Sequence, residues 1–174
     1  MRARLSTYTN GLAAIWVREL AGQRCAGPWR MDRLALGYHL GAVLQATIAV
    51  NDPQSSRAVF LLGDPTLRAQ IVAPPQIQSA VTNWTGTNRE VRLTWTASPD
   101  AANGYFVYRG TNIENALTNQ ICWVPSSTTS FTNSPAASGS NIHYLVRAAN
   151  LTATGGGSFT NLSYATYTIV SNLP

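Results

Sequence analysis

The apolar residues change their spacing at a proline pair, Pro74-Pro75. Before it, apolar residues recur with a helical period in the segment that contains Leu12, Ile15, Trp16 and Leu20. This spacing predicts a first helix that begins after Asn10 and stops at Gly22, because Asn is a good helix cap and Gly a common helix terminator.

The same period predicts a second helix over residues 32–51, which Asp52-Pro53 would end. Gly37 and Gly41 are four residues apart and therefore share one face of that helix, which predicts close approach to a neighbouring backbone. Within residues 57–62, a continuous apolar run follows Arg57. Such a run is typical of a strand buried on both faces of a parallel α/β sheet.

After the prolines the period becomes two. Side chains alternate between two faces in residues 90–96, 142–148 and 163–170, and turn-forming residues separate these segments. In residues 104–109, Tyr105 and Val107 are expected on one face, and Phe106 and Tyr108 on the other. About seven short strands in about 100 residues are typical of a β-sandwich. We therefore predict a mainly β chain, with an incomplete α/β segment of two helices and one buried strand over residues 1–72 and a sandwich over residues 73–174.

Charge adds little to this picture. Charged residues make up 11% of the chain, and all 12 basic residues are arginines, which give a net charge of +5. The arginines are scattered, whereas a nucleic-acid site needs clustered cations. We expect no nucleic-acid partner.

No segment predicts a membrane span. The longest apolar stretch, residues 34–50, is interrupted by His39 and Gln45, so it is interpreted as a core helix. Arg18 and Glu19 interrupt the position where a signal peptide would remain apolar. Because the chain opens within a predicted fold, we expect it to be a fragment of a longer protein.

Reactive residues are few. Cys25 and Cys122 fall in separate predicted domains and form no metal or redox motif, so both are interpreted as structural thiols. His39 is interpreted as an ordinary helix residue and His143 as a surface residue. Asp64 and Asp100, each beside a proline, are interpreted as turn formers. We predict no catalytic residue, no metal site and no cofactor.

Residues 74–174 resemble the fibronectin type III family. The resemblance depends on the proline-rich entry, on Leu93-Thr94-Trp95, on the segment from Gly104 to Arg109 that follows Pro99-Asp100, and on Tyr144-x-Val146-x-Ala148. It implies a binding or spacer module and no active site.

The residues before the sandwich resemble the end of the gingipain-like cysteine peptidases, whose catalytic domain is caspase-like. The matching motif is Gly63-Asp64-Pro65-x-Leu67, and a sandwich domain commonly follows it in that family. The resemblance implies a secreted or cell-surface bacterial protein whose catalytic His and Cys lie upstream, so that no catalytic residue is carried over. The upstream peptidase domain would then be the main partner of this chain.

Four aromatic residues allow two hypotheses. Trp84 and Trp123, with Phe106 and Tyr108 on the outward side of their strand, could form an exposed platform for a glycan or a protein at a cell surface. Alternatively, they cover the interface with the N-terminal segment, since an exposed apolar patch usually marks a contact. The first hypothesis makes the chain a stand-alone adhesion or carbohydrate-binding module, and the second fits the peptidase fragment.

Overall fold

A computed structural model describes residues 3–7, 13–18, 30, 32–50, 59–68, 70–85, 88–134, 136, 141–155 and 157–171. The chain divides into two compact units, Met1–Ala69 and Gln70–Pro174. Among the described residues, no helix is long and apolar enough to cross a membrane.

The first unit contains a three-stranded antiparallel sheet. Its strands are β1 (Ala3–Thr7), β2 (Ala13–Arg18) and β3 (Val59–Gly63), with β2 in the centre. The predicted first helix is therefore wrong, because its middle forms β2. Ile15, Trp16 and Val17 have high strand propensity, and pairing on both sides satisfies the backbone of β2.

Val59 to Leu62, the described part of the apolar run, do form a strand, β3, but not in a parallel sheet. β3 pairs antiparallel with β2, with Trp16 opposite Phe60. The prediction of a parallel α/β crossover is wrong for this reason. A run of apolar residues does not by itself specify the direction of the neighbouring strand.

The predicted second helix is divided into α1 (Asp32–Ala35) and α2 (Leu40–Val50). Gly37 separates them with a φ of +84°, and its amide bonds to the carbonyl of Leu34 at 2.9 Å. This backbone conformation ends a helix and is accessible to glycine at little cost. Leu34, Leu40 and Val43 form a small buried cluster with Leu67 packed against it.

The second unit is a β-sandwich, as predicted. One sheet contains β4 (Gln76–Thr85), β5 (Asn88–Thr96) and β8 (Ser130–Asn133), in the order β4-β5-β8. The other sheet contains β7 (Gln120–Val124), β6 (Tyr105–Gly110) and β9 (Ile142–Thr154), followed along the far side of β9 by β10 (Gly157–Leu162) and β11 (Thr166–Val170). A short helix, α3 (Ile113–Thr118), connects β6 to β7.

The inward-facing side chains of the two sheets form one core. Leu93 and Trp95 contribute from β5, and Tyr105 and Val107 from β6. The rings of Trp95 and Tyr105 meet edge to face with centroids 5.5 Å apart. The alternation predicted for β9 is confirmed, since its core-facing residues are Ile142, Tyr144, Val146 and Ala148.

Candidate functional site

Trp123 is an exposed aromatic residue of the sandwich whose side chain is held by a hydrogen bond. Its side chain on β7 is 52% exposed, and its indole Nε1 donates a hydrogen bond to the carbonyl of Asn103 at 2.8 Å. Asn103 is itself held, because its amide donates to the carbonyl of Ala149 at 2.9 Å and its Oδ1 accepts from the amide of Leu151 at 2.6 Å. The indole therefore has a fixed orientation while half of its surface faces solvent.

Two further side chains continue from Trp123 across the outer face of the sheet. Phe106 on β6 is directly opposite Trp123, and Arg147 on β9 is directly opposite Phe106. We call these three residues the outer-face strip. Phe106 and Arg147 are each partly buried, so Trp123 provides most of the exposed aromatic surface of the strip.

Arg147 is held in place at the end of the strip. Its Nε donates to the carbonyl of Ser163 at 2.7 Å. Burial lowers the pKa of its guanidinium, and the nearby phenol of Tyr108 partly opposes that effect. Desolvation likewise raises the pKa of Tyr108, and Arg147 opposes the rise. The two side chains are therefore close neighbours in a region largely withdrawn from water.

Tyr108 is not part of an exposed platform, which corrects the prediction. Its side chain is 7% exposed. It lies across from the fully buried Leu145, and α3 packs against the same two strands with Ala116 fully buried. The alternating pattern predicts that Tyr108 points away from the core. It does not predict that α3, which connects β6 to β7, packs on β6 and β9.

Trp84 is also separated from the strip. It is 59% exposed on β4, where it pairs with Arg89 of β5 in the other sheet. The structure thus brings together Phe106 and Trp123, leaves Trp84 apart and buries Tyr108. Sequence reasoning missed Asn103 and Arg147, although the Asn103-Gly104 dipeptide gave a turn signal at the right place.

The remaining reactive residues are His39, His143, Cys25 and Cys122. His39 Nδ1 accepts a hydrogen bond from the amide of Ala42 at 3.1 Å and therefore caps α2. His143 is absent from the core, which contains its neighbours Ile142 and Tyr144, and its side chain is partly buried. Cys122 packs partly buried against the core, and Cys25 lies outside the described residues. Within the described ranges no three His, Cys, Asp or Glu side chains are grouped to hold a metal ion.

The segment from Gly63 to Leu67 forms a turn that caps α2. Asp64 Oδ1 accepts hydrogen bonds from the amide and the hydroxyl of Thr66 at 2.8 and 2.7 Å, and these bonds lower the pKa of its carboxyl group. The carbonyls of Pro65 and Leu67 accept from the first amides of α2. The interpretation of Asp64 as a turn former is confirmed.

A second set of hydrogen bonds fixes the entry into the sandwich. The amide of Ala73 donates to Asp100 Oδ2 at 2.7 Å, and the hydroxyl of Ser98 donates to the carbonyl of Ala73 at 2.6 Å. The amide of Asp100 donates in turn to Ser98 Oγ at 3.1 Å. We call this arrangement of Ala73, Ser98 and Asp100 the entry clamp. It ties both backbone groups of Ala73 to the loop that follows β5.

Comparison with known proteins gives a limited result. No protein-family model matches the chain, and no curated protein matches it. Among solved structures, a crystal structure of an FN3 domain of human collagen XX is similar with 17% identity and a TM-score of 0.36, over 60% of this chain and 98% of that one. The description of residues 70–174 as a fibronectin type III-like sandwich follows from their own strand order and core.

Proposed function

We propose that this chain is the non-catalytic C-terminal portion of a secreted bacterial gingipain-like cysteine peptidase, in which the sandwich is a spacer, stabilising or attachment module. The observation that carries the proposal is the entry clamp. It fixes the first residues of a self-contained sandwich a few positions after the Gly63-Asp64-Pro65-x-Leu67 turn. Hydrogen bonds on both backbone groups of Ala73 make the entry segment part of the ordered sandwich, as suits an appended module.

The local structure of the motif also supports this proposal. The turn from Gly63 to Leu67 satisfies amides at the start of α2 that lack partners within the helix. In this chain the turn satisfies two of these amides, and this role gives a physical reason for the motif to persist at the end of such a domain. Catalysis in the parent protein would then depend on residues upstream of this chain.

The first test is the coding sequence upstream of Met1. The proposal expects an in-frame α/β domain that carries a catalytic His and, after it in the chain, a catalytic Cys. In the parent protein, removal of residues 70–174 should leave hydrolysis of a small peptide substrate nearly unchanged while shortening the half-life at elevated temperature or releasing the protein from the cell surface. An upstream stop codon, or loss of hydrolysis in step with loss of the sandwich, would contradict the proposal.

A second candidate function is carbohydrate binding, and the fixed indole of Trp123 favours it. Sugar rings stack on aromatic faces, and a side chain held by a hydrogen bond loses little conformational entropy when it binds. Trp123 meets this condition because Asn103 holds its Nε1 while half of its surface is exposed. This function does not require an upstream peptidase.

Glycan binding by Trp123→Ala and Trp84→Ala variants tests the second candidate. Trp84 is a matched control, since it is similarly exposed but lies in the other sheet. We expect Trp123→Ala to lower affinity for an oligosaccharide by at least about tenfold, the loss of a contact worth about 1.4 kcal/mol. Equal loss in both variants, or no binding by the unsubstituted chain on a glycan array, would exclude the outer-face strip as a sugar site.

A further inference from the structure

β10 lies at the end of its sheet. It pairs antiparallel with β9 along one side, from Gly157 opposite Thr154 to Leu162 opposite Ala149, and within the described part of the chain the sheet order ends there. Natural proteins commonly protect such edges with charged residues, prolines or bulges. β10 has the sequence GSFTNL and carries none of these protections.

The direction of its backbone groups follows from the pairing. The amide of Ser163 donates to the carbonyl of Ala148 at 2.9 Å, which makes this position a hydrogen-bonded pair. Because hydrogen-bonded and non-hydrogen-bonded pairs alternate in an antiparallel ladder, Asn161 and Phe159 also bond to β9. The amides and carbonyls of Ser158, Thr160 and Leu162 therefore point away from β9, toward the open edge.

The surroundings of the edge favour association. Residues 148–174 contain no charged side chain. Residues 70–174 as a whole hold four arginines against three acidic residues, a difference of +1, so two copies repel each other only weakly. Phe159 on β10 and Leu151 on β9 are 50% and 49% exposed and offer apolar surface beside the edge.

We propose that β10 is a dimerisation edge that pairs antiparallel with β10 of a second copy of this chain. A two-fold axis beside Thr160 would place Thr160 opposite its counterpart and Ser158 opposite Leu162, so that the outward amides and carbonyls face one another. A second copy fits better than a flexible peptide, because its strand is already extended. A flexible peptide would lose backbone entropy at each residue that becomes ordered.

Sedimentation equilibrium of the full chain at increasing concentration tests the proposal. We expect the weight-average mass to rise from the monomer value of 18.7 kDa toward twice that value. Thr160→Pro should weaken the dimer at least about tenfold, because proline removes an outward amide and is tolerated on the open side of an edge strand. Thr160→Lys should weaken it similarly, since it places two like charges opposite each other.

The control is Gln120→Lys, which adds the same charge to β7 at the opposite end of the sheet. It should leave the dimer unchanged within about twofold, a free-energy difference well below 1 kcal/mol. Circular dichroism of each variant shows whether the sandwich remains folded. If Thr160→Pro unfolds, the dissociation constant of the Thr160→Lys dimer tests the proposal instead. A monomer at every concentration would overturn the proposal. The open edge of β10 would then be available to pair with an extended segment of another protein. Equal effects of Gln120→Lys and Thr160→Lys would overturn it as well.

Discussion

The amide of Gly41 donates a hydrogen bond to the carbonyl of Pro65 at 2.8 Å, and no side chain fits between the two residues. A β-carbon at position 41 would lie 2.9 Å from Pro65 Cβ and 3.1 Å from Pro65 O. The close approach predicted for this glycine is therefore confirmed. Its neighbour is the proline of the Gly63-Asp64-Pro65-x-Leu67 turn, so the glycine in the helix and the motif that follows β3 depend on each other.

Replacing Gly41 with alanine should destabilise the first unit. The added methyl group forces α2 away from Pro65, and overpacking of this kind costs about 1–3 kcal/mol. Hydrogen exchange at the amides of Leu40 and Gly41 measures the effect, which should appear as faster exchange. The sign is diagnostic, because without the contact alanine would stabilise a helix by about 0.5–1 kcal/mol relative to glycine. Slower exchange in the variant would therefore refute this packing.

Gly104→Ala should destabilise the sandwich more strongly. Gly104 has a φ of +88°, and a β-carbon there would lie 2.1 Å from the carbonyl oxygen of Val124. Backbone strain and overpacking of this kind cost about 1–3 kcal/mol each. Urea denaturation followed by tryptophan fluorescence measures the loss. Gly155→Ala is the matched control, since no heavy atom lies within 4 Å of the added carbon, and a similar loss in both variants would count against the contact with Val124.

Removing the hydroxyl of Ser98 should open the entry clamp. Ser98→Ala loses the bond to the carbonyl of Ala73 and the acceptor for the amide of Asp100. Ser98 is 7% exposed, and partners left unsatisfied in a buried site cost about 1–3 kcal/mol. Limited proteolysis should then cut residues 70–75 faster while β4 to β11 remain resistant. Thr96→Ala, an exposed change on the preceding strand, is the control, and equal cutting in both variants would argue against the clamp.

We expect two buried phenols to make the stability of the sandwich fall in alkali. Desolvation raises the pKa of Tyr108 and of Tyr144 above the ordinary value of 10.0, with Arg147 and Arg109 acting in the opposite direction. Because the folded state holds these protons more tightly than the unfolded state, their contribution to stability is complete below pH 10.0 and is lost as the pH rises through the raised values. The free energy of unfolding should therefore fall as the pH increases above that point.

Tyr144→Phe separates this effect from general alkaline unfolding. The variant should lose less stability than the unsubstituted chain over the same rise in pH, as followed by denaturation at several pH values. Its hydroxyl accepts a hydrogen bond from Asn133 Nδ2 at 3.2 Å, so some stability should also be lost at neutral pH. Tyr167→Phe, which removes an exposed hydroxyl, is the control. An unchanged slope in Tyr144→Phe would rule out this phenol as a source of the pH dependence.

The sequence by itself determined the sandwich. Side chains in strands alternate between two faces, so residues such as Leu93, Val107 and Val146 identify the core face before any strand is paired. Turn residues such as Asn103-Gly104 divide the strands for an equally local reason. Local rules sufficed where each strand had one face in the core and one outside.

Only the tertiary structure decided the first unit and the candidate sites. Ile15 and Trp16 fit a helix as well as a strand, and the choice depends on whether β1 and β3 are present to pair with them. Tyr108 and Trp123 are both aromatic residues near one sheet, but α3 packs on the strands around the first while Asn103 fixes the second at the surface. Burial and strand pairing depend on residues that are distant in sequence. The hydrophobic pattern around one residue therefore cannot predict either of them.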